Sequence, residues 1–145
     1  MNFIEKINKL ISAETINKLS SVTGESIVAT EKGIKTAISM ILASLTYKSN
    51  KELDLITKQA KTTFNGAEQD QNFAVILKSI FGDQLEEILF TAATYAGIKQ
   101  KSMHLISNNA AVCVFEGMKE LTGFELEAVE SLLIKNKAEI LNLVP

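Results

Sequence analysis

The sequence predicts an all-α protein, a compact bundle of roughly 7–9 helices built from two related helical halves. Three observations carry that expectation. The one proline is the last residue, Pro145, so no helix in the body of the chain is broken by one. Apolar residues recur at helical spacing along nearly the whole length, between serines and glycines placed to start and stop helices. Runs of alternating β-branched residues bounded by turn signals are missing, which leaves no candidate strand.

Each element has its own warrant. Phe3, Ile4, Ile7, Leu10 and Ile11 form one apolar face of a first helix, and Ser12 stands where the next helix needs its cap. The second helix, Ala13 to Thr23, carries Ile16, Leu19 and Val22, and Gly24 is placed to close it in the left-handed conformation. After Glu25-Ser26 comes a central helix in which Ile34, Ala37, Ile38, Ile41, Leu42 and Leu45 keep helical spacing. Its small residues, Gly33 and Ala37 among them, permit close approach of a neighbour.

Ser49-Asn50-Lys51-Glu52 has capping-box spacing and introduces a helix with Leu53, Ile56 and Ala60 on one side. Asn65-Gly66 stops it, and the polar stretch 65–71 is the expected loop, the seam between the halves and the site of proteolytic nicking. Phe73, Ile76, Leu77, Ile80 and Phe81 make the next stripe, stopped by Gly82. Asp83-Gln84-Leu85-Glu86 reads as a second capping box, opening a helix with Leu89, Ala92 and Tyr95 that ends at Gly97. A short helix Ile98 to Ile106, a break at Ser107-Asn108-Asn109 and a second central helix Ala110 to Leu121 follow. Thr122-Gly123-Phe124-Glu125 supplies a third capping box, before a closing helix with Phe124, Ala128, Val129, Leu132 and Leu133 inward and Glu127, Glu130, Lys135 and Lys137 solvated.

The expected organisation is a single domain, 1–145, with an internal repeat at about 1–64 and 72–121 and a closing helix at 123–142. At 145 residues one core suffices, since a domain of this size buries about 68–70% of its unfolded surface. All 15 basic residues are lysine. Arginine is the side chain that reads guanine edges and grips phosphate bidentately, so nucleic acid is an unfavoured partner. Net charge by segment is +2 over 1–50, −2 over 51–100 and −2 over 101–145, which makes no polyanion-binding face. The glycine turns have helix-turn-helix shape, but the helices after them offer only Lys32 and Lys35, or Lys99 and Lys101. The N-terminus lacks an uninterrupted apolar run and a cleavage site, which predicts a cytoplasmic chain. The run Ala37 to Leu45 is less than half the ~20 residues a membrane span needs.

The block Ile11-Ser12-Ala13-Glu14-Thr15-Ile16-Asn17-Lys18-Leu19, then Gly24-Glu25-Ser26 and the Ile34/Ile38/Ile41/Leu42/Leu45 pattern, resembles the start of the YidB-like bacterial family, domain of unknown function 937. Phe81-Gly82-Asp83-Gln84, Ala92, Gly97 and Ala110-Ala111-Val112 resemble its second block, so the similarity spans most of residues 1–118. Members often have proline where this chain has Ser39. The resemblance implies no catalytic residues. In some bacterial proteins the module is joined to an OmpA-like peptidoglycan-binding domain, absent from these 145 residues, which implies a link to the cell envelope.

No catalytic, cofactor-binding or metal-ligating residue is assigned. His104 and Cys113 are the lone histidine and cysteine, and a nucleophilic pair would need them adjacent with a third orienting group. Cys113 in the run 110–115 reads instead as a small buried core residue. Spacings such as His-x₃-His or Cys-x₂-Cys are absent. Glu86-Glu87 and Glu125/Glu127/Glu130 belong to first helical turns, where negative charge suits the helix dipole. Glu68 and Asp70 are loop carboxylates. The sequence therefore predicts a non-enzymatic, cofactor-free module that binds protein or self-associates. The alternative is a binder of a small hydrophobic ligand or lipid in a cavity lined by Phe81, Phe90, Phe115 and Met118.

Overall fold

The computed structural model of the chain describes residues 2–65 and 73–145, and at Asn65 the backbone alone. The helices are α1 (Phe3–Leu10), α2 (Ala13–Thr23), α3 (Ile27–Thr46), α4 (Asn50–Asn65), α5 (Ala74–Phe81), α6 (Leu85–Ala96), α7 (Gln100–Thr122) and α8 (Leu126–Leu143), with a 3-10 turn at Gly82–Gln84. Among the described residues there is no strand. The expected seam at 65–71, with Gly66, Glu68 and Asp70, lies outside the described residues except for Asn65.

Most helix starts follow their local chemistry. Asn2, Ser12 and Ser26 hold extended backbone and accept the N–H three residues on, from Glu5, Thr15 and Ala29. Ser49 and Glu52 form the reciprocal box: the Glu52 N–H donates to Ser49 Oγ at 3.2 Å and the Ser49 N–H to Glu52 Oε1 at 3.0 Å.

The two longest helices, α3 and α7, pack on one another more extensively than any other pair. The α3 stripe from Ile34 to Leu45 is buried as its spacing predicts, and α7 buries Met103, Ile106, Ala110, Ala111, Val114, Phe115 and Met118 against it. Each such large side chain contributes roughly 1.5–3 kcal/mol. Gly33 makes the crossing close: a Cβ there would lie 3.2 Å from Ile98 Cδ1 and 3.5 Å from Ile106 Cγ2. Ser39 is buried in an unbroken α3 and donates to the Thr36 carbonyl at 2.7 Å.

An aromatic row closes the far end of the core. Phe73 stacks on Phe115 at 5.7 Å and meets Phe64 edge-on at 5.4 Å, and Phe124 lies 5.9 Å from Phe64. Phe124 adopts φ 62°, a left-handed conformation costly for a bulky residue, and in return its ring is buried.

Four local expectations are corrected. The break at Ser107-Asn108-Asn109 is absent, and α7 is one helix; Ser107 is buried, and Asn108 Oδ1 accepts the Phe73 N–H at 2.8 Å instead of capping. Asp83 caps nothing, because the chain tightens into the 3-10 turn and α6 starts after Gln84 without a side-chain cap. Thr122 is not the cap of a closing helix from 123. It is the last residue of α7, its Oγ1 accepts from the Phe124 N–H, and α8 begins at Leu126. Val22 and Tyr95, expected on inner stripes, are 64% and 50% exposed.

Candidate functional site at the paired glycine turns

Gly24 ends α2 at φ 76°, ψ 7°, and Gly97 ends α6 at φ 74°, ψ 35°. Only a residue without Cβ takes this conformation freely, which is why both helices stop there. The two turns meet in space. Glu25, directly after Gly24, places Oε2 to accept the Ser102 hydroxyl at 2.6 Å and the Lys99 N–H at 3.1 Å. Lys99 is the N-cap of α7 and its own side chain makes no capping bond. The carboxylate of the first turn thus caps the helix that follows the second, where the free N–H groups and dipole favour negative charge. The Ser102 hydrogen bond first, and the Lys99 N–H second, hold the Glu25 carboxyl below its ordinary value. On the other side Ser20 Oγ donates to the Glu25 carbonyl at 2.6 Å, fixing the turn.

Beside this junction a groove of about 460 Å³ lies between α1, α3, Tyr95 of α6 and the C-terminal residues. Ile4, Ile7, Ile38 and Leu42 form its floor, and Val28, Tyr95 and Leu143 stand at its rim. Lys32 sets its ammonium 4.4 Å from the centre of the Tyr95 ring, a cation–π contact between the two halves of the chain.

His104 and Cys113, the two residues weighed as a nucleophilic pair, are kept apart. His104 sits on the outer face of α7, with Nε2 2.9 Å from Glu86 Oε1, and Gln100 donates to the same oxygen at 3.1 Å. Cys113 is on the same helix, nine residues on, so about 13 Å along the axis. Its buried thiol points at the Leu10 carbonyl at 3.9 Å, and burial, then the nearby Glu116 carboxylate, pushes its pKa up to about 11. A thiol so held is a poor nucleophile near neutral pH. Among the described residues no group of three His, Cys, Asp or Glu could hold a metal ion. No helix among them is long and apolar enough to cross a membrane.

The expected cavity of Phe81, Phe90, Phe115 and Met118 does not form: Phe115 and Met118 are wholly inside the core, while Phe90 is 60% exposed on α6. Glu25 is the residue that sequence reasoning missed. An acid one place after a helix-ending glycine was its one visible mark, and its partners lie more than seventy residues away.

No curated protein and no solved structure matches the chain. Residues 5–120, which hold both turns, α3 and nearly all of α7, match the family model described as "Bacterial protein of unknown function (DUF937)". By that match, over most of its length, the chain belongs to the DUF937 family of bacterial proteins.

Proposed function

We propose that the chain is a non-enzymatic helical module that acts by binding another protein or a second copy of itself at the face where the glycine turns join. The observation that carries this reading is a set of large apolar side chains left in solvent there. Val28 is 78% exposed and shares the groove rim with Tyr95, and the exposed Val22 and Ile27 flank the same first turn. Grouped apolar exposure on a rigid support is the usual mark of an interaction surface. The separation of His104 from Cys113 along α7 supports the non-enzymatic part of the reading.

Light scattering and affinity capture from the native cell test it with wild type and with Val22→Glu and Ile27→Glu, both exposed positions. Loss of a partner or of the dimer in the variants, with helicity intact by circular dichroism, is the expected result. A strict monomer that captures nothing rules the reading out. An envelope role belongs to the same proposal and rests on the family resemblance; cell fractionation tests it.

The relation between the halves is proposed on similar terms. Gly33 stands nine places after Gly24 and Ile106 nine after Gly97, and a Cβ on the first would touch the second. Corresponding positions meeting at a crossing are what a duplicated unit packed on itself would give.

A second reading, binding of a small hydrophobic ligand, is favoured by the groove itself. Its volume lies within the roughly 300–1,000 Å³ of small-molecule sites, though at a different place from the cavity first expected. Native mass spectrometry of freshly purified chain separates the two readings: a retained small mass supports the ligand, a bare chain in complex with protein supports the module.

A further inference from the structure

The groove is graded along its length. Its α3 wall runs through Val28, Lys32, Lys35, Ile38 and Leu42, one stripe of the helix at spacings of three and four, roughly 21 Å long at about 1.5 Å per residue. The end toward Val28 carries the charge. Lys35 is paired with Glu31 at 3.0 Å, whereas Lys32 lies on the Tyr95 ring and makes no ion pair among the described residues. The other end is mainly apolar, with Ile38 and Leu42 beside Ile4, Ile7 and Leu143, and with Asn8 and Pro145 also in its lining.

The geometry points to a single-chain anionic amphiphile, a free long-chain carboxylic acid, as the occupant of this groove. Its carboxylate meets Lys32 at the Tyr95 end, and its alkyl chain runs along α3 over Ile38 toward Ile4 and Leu143. The inference rests on the ligand-binding reading and names the class of ligand.

Three features select that chemistry. An ammonium already desolvated on one side by an aromatic face gains most from a carboxylate, through a charge-assisted hydrogen bond. One unpaired cation with Glu31 on the same rim suits a single negative charge and disfavours a phosphate dianion or a polyanion. The apolar end offers a narrow contact, for Leu143 is exposed there and Ile4 and Ile38 keep 7% and 4% of their surface in reach. So small an apolar opening suits a thin alkyl chain better than an α-helix about 10 Å across.

Titration calorimetry and native mass spectrometry of the full chain with palmitate test the assignment. The expected result is one palmitate per chain, with hexadecanol and acetate each weaker by about tenfold or more, since each lacks one half of the match. Lys32→Met keeps the alkyl stem and loses the charge; it should weaken palmitate about tenfold and leave hexadecanol unchanged. Val28→Glu puts a carboxylate one turn from Lys32 and should weaken palmitate by more. Both positions are exposed, so circular dichroism should report an intact fold, and Lys58→Met on α4 serves as the unaffected control.

Equal palmitate affinity in wild type and Lys32→Met, equal affinity for palmitate and hexadecanol, or binding to phosphatidylglycerol vesicles without binding of free palmitate would each overturn the inference. A chain that ignores palmitate but purifies with another small apolar molecule would overturn this ligand class and leave the ligand-binding reading standing. A chain that binds no apolar molecule at all removes both.

Discussion

At Gly24 the chain leaves α2 and starts α3 on its own Ser26, whose Oγ accepts the Ala29 N–H at 3.1 Å. At Gly97 it leaves α6 through the same left-handed residue but starts α7 on Lys99, which supplies no cap, and Glu25 reaches across from the first turn to do so. Two turns with one backbone design therefore differ in autonomy. The first is complete within a few residues of sequence, and the second is complete only in the folded molecule. Local conformation can be set by one glycine, while the polar groups it leaves open are satisfied by whatever the tertiary fold brings near.

Four experiments would break or sharpen this contrast. The largest effect is expected at Gly33, where the arm of the first turn leans on Ile98 of the second. Gly33→Leu overpacks that contact and should cost about 1–3 kcal/mol in chemical denaturation. An unchanged midpoint would mean the two arms are not in contact there. Next comes Glu25→Ala set against Ser26→Ala. The former strands the buried Ser102 hydroxyl and uncaps α7, at about 1–2 kcal/mol once the partial exposure of Glu25 is allowed for, and amide exchange at Lys99 should quicken. The latter should cost about 1 kcal/mol and perturb α3 alone. Equal losses confined to α3 would erase the distinction.

The alanine replacements Gly24→Ala and Gly97→Ala test what the turns share. Neither added Cβ would meet a neighbour within 4 Å, so each should cost only the left-handed strain, about 1 kcal/mol and nearly equal at both. A large inequality in urea midpoints would show that the backbones are not equivalent. The smallest effect is the pH dependence. The Glu25 carboxyl is held below its ordinary value of 4.5, so its contribution is complete above that value and is lost as pH falls through the lower folded one. The stability difference between wild type and Glu25→Gln should stay flat from neutral pH to about 4.5 and close below it. Glu52, lowered by the Ser49 N–H and then its hydroxyl, shifts in the same direction but is common to both proteins and cancels.

Much of the fold was legible because it rests on local chemistry. Ser12, Ser26 and the Ser49/Glu52 box act where their spacing put them, and the stripes of α3, α4 and α5 are buried as their periods require. The misread caps share one cause. Ser107, Asn108, Asp83 and Thr122 look like caps in sequence, but short polar side chains are also used inside helices and across them. Asn108 serves the Phe73 backbone, and Thr122 serves the turn at Phe124 from within α7. The candidate site was almost invisible for the same reason. Glu25 with Ser102, and Lys32 with Tyr95, are pairings between the halves, and no period or spacing in a single stretch encodes them.

The carboxylate that crosses between the turns also imposes an order on assembly. The cap of α3 can close before residue 97 exists, for Ser26 needs only the Ala29 N–H. The first turn of α7 has no such independence, for Glu25 can accept the Lys99 N–H and the Ser102 hydroxyl only where the earlier arm is docked beside it. For that one contact the N-terminal arm is the template and the later one the client.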